Sequence, residues 1–261
     1  MKIGVVADPS SEPIKEIHRF GKDDFDFVEL GLESPLAAVA KLDPQALRSA
    51  ANAMGVDLML RSSEHLPIGN QHLQIDVAVR TVLGETVEFA RDAGVQLLTI
   101  PFYMDQQKRS FLDLQDYYID LLGQLNEKAG AGLSLALANS ARNECENFLF
   151  IEIFRHVPQL RLALDIGHAN VNTSINLARE FLNEPILSDR LSHVYVSEND
   201  GKSDQHLPLG AVEQGMDWIA MNKMLCKNGY DGTVSLDIRV TDNDYLLLSR
   251  KNFRAWWEAS R

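Results

Sequence analysis

Short apolar runs of strand length alternate with amphipathic helical stretches along the whole of this 261-residue chain. The strand-like runs are Lys2–Ala7, Phe27–Leu30, Asp57–Ser62, Val95–Ile100, Leu133–Leu137, Leu160–Leu164, Leu191–Val196 and Thr233–Ile238. Between them the spacing predicts helices over Glu12–Phe20, Asp43–Met54, Gln71–Ala93, Phe111–Ala129, Asn147–Val157, Ile175–Asn183 and Asp217–Asn228, and Tyr245–Ser260 closes the chain. Local punctuation agrees with this reading. Asp43 is a capping residue followed by Pro44 at the first helical position, and Gly55, Gly94, Gly130 and Gly229 stand where helices should stop.

Strands that alternate with helices favour a parallel sheet covered by those helices. Eight such units, spaced by roughly 25–40 residues, imply a closed α/β barrel, a single (β/α)8 TIM barrel over residues 1–261. The competing architecture is a doubly wound open sheet. No Gly-rich phosphate loop follows the first strand to support it. No domain linker or low-complexity tract interrupts the pattern.

Composition narrows the functional classes. The net charge of −12 argues against broad attraction to nucleic acid, although a locally basic groove is still compatible with it. No apolar run approaches the roughly 18 residues that span a bilayer, so no membrane partner is expected. The opening Met1-Lys2-Ile3-Gly4-Val5-Val6-Ala7-Asp8 turns acidic too soon for a signal peptide and reads as a buried strand. Cys145 and Cys226 have no metal-like spacing and read as free thiols in a reducing cytoplasm.

The chemistry gathers in the last hundred residues. Asp165 ends the sixth apolar run, and His168 follows it after Gly167, which permits a tight turn. Each residue also has a plain reading, Asp165 as a helix cap and His168 as a loop histidine. Alternation along the seventh run puts His193, Tyr195 and Ser197 on one face, where His193 is either a ligand or a hydrogen-bonded core residue. Asp204-Gln205-His206 is the most specific motif, because a carboxylate and an imidazole two residues apart in a loop can clasp one cation. The Leu207-Pro208-Leu209-Gly210 turn that follows would stiffen this loop. Asp237 ends the eighth run, where a buried charge requires either a metal or a donor such as Arg239. Glu29 ends the second run, Arg61, Ser62 and His65 end the third, and Glu198 begins the loop after the seventh. Polar residues at the carboxyl ends of successive strands are how such a barrel builds a site, and this set suits a divalent ion, zinc or manganese foremost.

These residues resemble the xylose-isomerase-like TIM-barrel superfamily, which holds sugar-phosphate isomerases and epimerases, inosose dehydratases and endonuclease IV enzymes. The resemblance covers essentially the whole chain. It rests on Val28-Glu29-Leu30, Asp165-x-x-His168, His193, Asp204-x-His206-x-Pro208-x-Gly210 and Ser235-Leu236-Asp237-Ile238. In the isomerase branch it implies one ion held by ligands from strands five to eight, with Asp165, His193 and Asp237 at three of the four places. The strand-five place, a glutamate in the family, is Ala138 here. In the endonuclease branch it implies that His168, Asp204 and His206 hold one ion of a cluster, with His65 similar to a ligand of another.

Three functions follow from that resemblance. The first is a divalent-metal-dependent isomerase or epimerase acting on a small sugar, polyol or sugar phosphate, with Glu29, His65 or Glu198 moving the proton. The second is phosphodiester hydrolysis at abasic DNA, weakened by the acidic charge. The third is a barrel that has lost catalysis, suggested by Ala138. Oligomerisation through the outer helices is compatible with all three.

Overall fold

The computed structural model describes residues 1–33, 36–103, 110–141 and 146–261. Eight parallel strands close on themselves in chain order: β1 (Lys2–Val6), β2 (Phe27–Gly31), β3 (Asp57–Arg61), β4 (Leu97–Pro101), β5 (Ser134–Ala138), β6 (Arg161–Asp165), β7 (Leu191–Val196) and β8 (Thr233–Leu236). The seam is the pairing of β1 with β8, from Lys2 opposite Thr233 to Val5 opposite Leu236. The expected (β/α)8 barrel is therefore the fold.

Helices α1 (Pro13–Lys22), α2 (Pro44–Met54), α3 (Leu73–Ala93), α4 (Phe111–Ala129) and α5 (Glu146–His156) pack outside, followed by α6 (Ala178–Asn183), α7 (Pro185–Ser188), α8 (Trp218–Lys227) and α9 (Asn243–Ser260). The stop and start signals act as their chemistry requires. Asp43 accepts from the Gln45 amide at the start of α2, and Gly55 ends it in the left-handed region at φ 69°. Gly94 ends α3 in the same way.

Two apolar clusters result. The larger lies between barrel and helices and contains an aromatic wall of Phe102, Tyr118, Phe150, Phe154 and Phe181. The smaller lies inside the barrel and consists of Val6, Ala136, Ala138, Ala163 and Tyr195. The β5 and β6 side of the interior is thus lined by alanines, which leaves space for the Tyr195 ring. No helix among the described residues is long and apolar enough to cross a membrane. Cys226 is a free thiol, while Cys145 lies outside the described residues.

Candidate metal centre at the barrel mouth

Three side chains meet above the carboxyl ends of β6 to β8. His168 Nε2 stands 3.2 Å from Asp204 Oδ2, and His206 Nε2 stands 3.0 Å from the same oxygen. Among the described residues, His168, Asp204 and His206 bring three ligand atoms within 4.8 Å of one another.

Each imidazole is held by its other nitrogen. His168 Nδ1 lies 2.9 Å from the Asn139 carbonyl, and His206 Nδ1 lies 2.8 Å from the Asp237 carbonyl. A carbonyl oxygen only accepts, so each Nδ1 carries the proton and each Nε2 faces the carboxylate. This is the tautomer a metal-binding histidine needs.

The supporting loops are stitched together. Asn139 accepts the Asp165 amide at 2.7 Å and donates to the Asp165 carbonyl at 2.9 Å. Asp165 in turn accepts the His168 amide at 2.8 Å. Asn199 donates to the Gly167 carbonyl at 2.8 Å and accepts from Asn170 at 2.9 Å, which ties the loop after β7 to the loop after β6. Gly167 serves by its size: its φ of −64° is ordinary, but a Cβ there would stand 2.4 Å from Ser197 Oγ. His206 adopts φ 51°, a left-handed backbone that a non-glycine residue rarely takes. The surroundings hold that strained backbone, with the Glu198–Leu207 bridge on one side and the Arg239 amide on the His206 carbonyl on the other.

The charges are strongly coupled. Burial opposes protonation of His168, yet Asp165 and Asp204 push it up to about 10. Burial likewise opposes protonation of His206, and its bonds to Asp204 and Asp237 push it up to about 11. Burial would raise Asp204, but the two imidazoles hold it well below the usual carboxylate range. The arrangement suits a cation, and a divalent ion there would replace the two Nε2 protons. Two imidazole nitrogens and one carboxylate oxygen, each with its orientation already set, fit a divalent ion.

The remaining candidates lie elsewhere. Strand register puts Asp165 opposite Tyr195, and His193 opposite Ala163, one inward layer below. His193 is fully buried, with Nδ1 2.7 Å from Thr233 Oγ1 and Nε2 3.3 Å from Glu29 Oε2, off the hydrogen-bonding direction. The structure therefore does not bring His193 together with Asp165 and Asp237, because a strand residue two positions earlier sits about 7 Å deeper. Glu29 belongs to the same buried layer and accepts hydrogen bonds from Thr99, Tyr195 and Ser235. Burial would raise the Glu29 carboxyl, but His193, Arg61 and Ser235 outweigh it and hold it low.

Glu198 is bound to its own loop. It accepts from the Gly210 amide at 3.2 Å, the Met216 amide at 3.0 Å and the Trp218 indole at 2.8 Å. Asp237 takes its donor from Arg61 at 2.9 Å rather than from Arg239. In the sequence Arg61 is only a strand-end residue, and no local pattern links it to a partner 176 positions away. His65 is exposed and lines a cavity of about 430 Å³ that also includes Asp8, Glu16, Glu33, Arg61, Glu64, Asp237 and Arg239. Asp237 is shared between this cavity and the histidine–aspartate trio.

Residues 14–258 match the family model described as xylose isomerase-like TIM barrel. The chain belongs to that family. Among solved structures, a D-tagatose 3-epimerase-like protein superposes at TM-score 0.86 with 19% identity, covering 100% of this chain and 98% of that one. A D-psicose 3-epimerase gives TM-score 0.76 at 14% identity, with 98% of each chain covered. The TTHB071 protein of Thermus thermophilus, soaked with zinc chloride, gives 0.77 at 17% identity over the full length of both. At such identities the shared property is the fold. A 59-residue stretch is 36% identical to the uncharacterized protein MJ1614 of Methanocaldococcus jannaschii, covering 23% of this chain and 21% of that protein.

Proposed function

We propose that this chain is a divalent-metal-dependent isomerase or epimerase acting on a small sugar or polyol, with zinc or manganese held by His168, Asp204 and His206. The observation that carries this reading is the convergence of two imidazole Nε2 atoms on one carboxylate oxygen, beside a cavity that shares Asp237. The epimerases among the structural relatives support the substrate class.

When bound, the ion would polarise a hydroxyl or carbonyl oxygen of the substrate. The chain's own residues supply the rest. The carboxylates of Asp8, Glu33 and Glu64 and the guanidinium of Arg239 line the cavity with acceptors and donors suited to hydroxyl groups. His65, exposed in the same wall, is the candidate to move a proton. Glu29 and Glu198 are left out of proton transfer, since Glu29 is held by three buried hydroxyls and Glu198 by three donors of its own loop. The acidic cavity wall also disfavours a phosphodiester backbone.

The test is epimerisation of a panel of ketoses and polyols by zinc- or manganese-loaded protein, with His206→Asn as the control. Asparagine tolerates the left-handed backbone, so the fold should persist while metal and turnover fall. Turnover on no member of the panel, together with nicking of an abasic duplex, would favour the nuclease reading instead. Loaded protein active on neither would point to a barrel without catalysis.

A further inference from the structure

Three carboxylates are buried around the barrel axis: Glu29, Asp165 and Asp237. Charges taken out of water require compensation close by. For Asp237 the compensation comes from the protein itself. Arg61 Nη1 lies 2.9 Å from Asp237 Oδ2 and also 2.9 Å from Glu64 Oε1. The guanidinium carbon sits 5.6 Å from the centre of the Tyr195 ring. Arg61 is only 8% exposed, and its Nε has no hydrogen-bond partner among the described residues.

With Arg61 in place, an ion at this point finds few free ligands. The strand-five position is Ala138, the strand-seven position level with Asp165 is Tyr195, and the Tyr195 hydroxyl is bonded to Glu29 and Thr99. Asp165 holds the His168 amide, and Asp237 is bracketed by Arg61 and His206. An arginine side chain is protonated at every relevant pH, and this one is anchored at the end of β3.

We propose that Arg61 is the resident cation of the barrel axis: it occupies the place at Asp237 that a second divalent ion would require, so the mouth takes up one ion. Arg61 thereby positions Asp237, whose carbonyl and carboxylate hold His206 at the single ion site. The inference rests on the trio being that site, and its test reads metal rather than turnover.

Stripped protein is reloaded with Zn²⁺ or Mn²⁺, dialysed, and counted by elemental analysis and by calorimetric titration. Wild type is expected to hold one equivalent, and Arg61→Lys, which keeps the charge, the same. Arg61→Met is expected to take up a second, weaker equivalent, because Asp237 and Glu64 then lose the guanidinium they share, leaving Glu64 with only Arg239, at 3.7 Å. A double variant, Arg61→Met with His206→Asn, should keep that second equivalent and lose the first. Two equivalents in wild type overturn the proposal, as does an Arg61→Met protein with unchanged stoichiometry and affinity. Should wild type take up none, the trio reading fails, while an equivalent gained by Arg61→Met would still uphold the role of Arg61. Circular dichroism on each variant confirms that the barrel has formed.

Discussion

At the residue scale, Asn139 braces the proposed ion trio and Glu146 bonds the loop that follows Asn139. Asn139 holds both backbone groups of Asp165 and offers its own carbonyl to His168. Asn139→Ala keeps that backbone carbonyl but releases the Asp165 backbone beside it, so metal affinity should fall by about 10-fold, the lower end of the cost of disturbing a ligand's support, as read by competition with a chelating dye. Glu146 stands in the first turn of α5, with one oxygen on the Ser140 amide at 2.8 Å and the other without a partner among the described residues. Burial pushes its carboxyl from an ordinary 4.5 up to about 7. Between those values the folded state binds more protons than the unfolded state, so stability falls as pH rises through that window. Glu146→Gln removes this slope. Its advantage over wild type should be absent near pH 4 and grow to at most about 3 kcal/mol above pH 7, measured by urea unfolding across pH.

At the scale of elements, the loop from β7 to α8 is organised by one carboxylate. Glu198 gathers the Gly210 and Met216 amides and the Trp218 indole, and Trp218 stacks on Trp256 with ring centres 6.4 Å apart. Glu198→Ala leaves those donors without their acceptor, at a cost of about 3 kcal/mol or more. For a chain of this length that corresponds to a melting temperature lower by roughly 6–12 °C. The expected signature is faster proteolysis within residues 207–217 and altered tryptophan emission. A variant with unchanged melting and lost turnover would instead return Glu198 to proton transfer.

At the scale of the whole molecule, Glu29 ties the barrel across its interior. It reaches from β2 to Thr99 on β4, Tyr195 on β7 and Ser235 on β8. Glu29→Ala should therefore destabilise the barrel globally, by about 3–5 kcal/mol, because it leaves buried hydroxyls and His193 without their anion. Equilibrium denaturation checks this, and a stable variant would mean that the network contributes little. The same network separates His193 from the mouth: the sequence places it on the correct face of β7, while strand register sets its depth.

What the chain's order alone determined was the barrel. Eight apolar runs, their caps and their glycines act locally, through backbone sterics and the period of side-chain burial, and those signals survive in one dimension. The Asp204-x-His206 pair was legible for the same reason, since its two ligands share one loop. Depth and partnership were decided only by folding. Strand register lowered His193 by a layer and closure of the barrel brought Arg61 to Asp237 across 176 positions, while the loop after β7 folded back on Glu198. These are long-range choices among polar groups that must be satisfied once water is excluded, and no local pattern records which partner each will find.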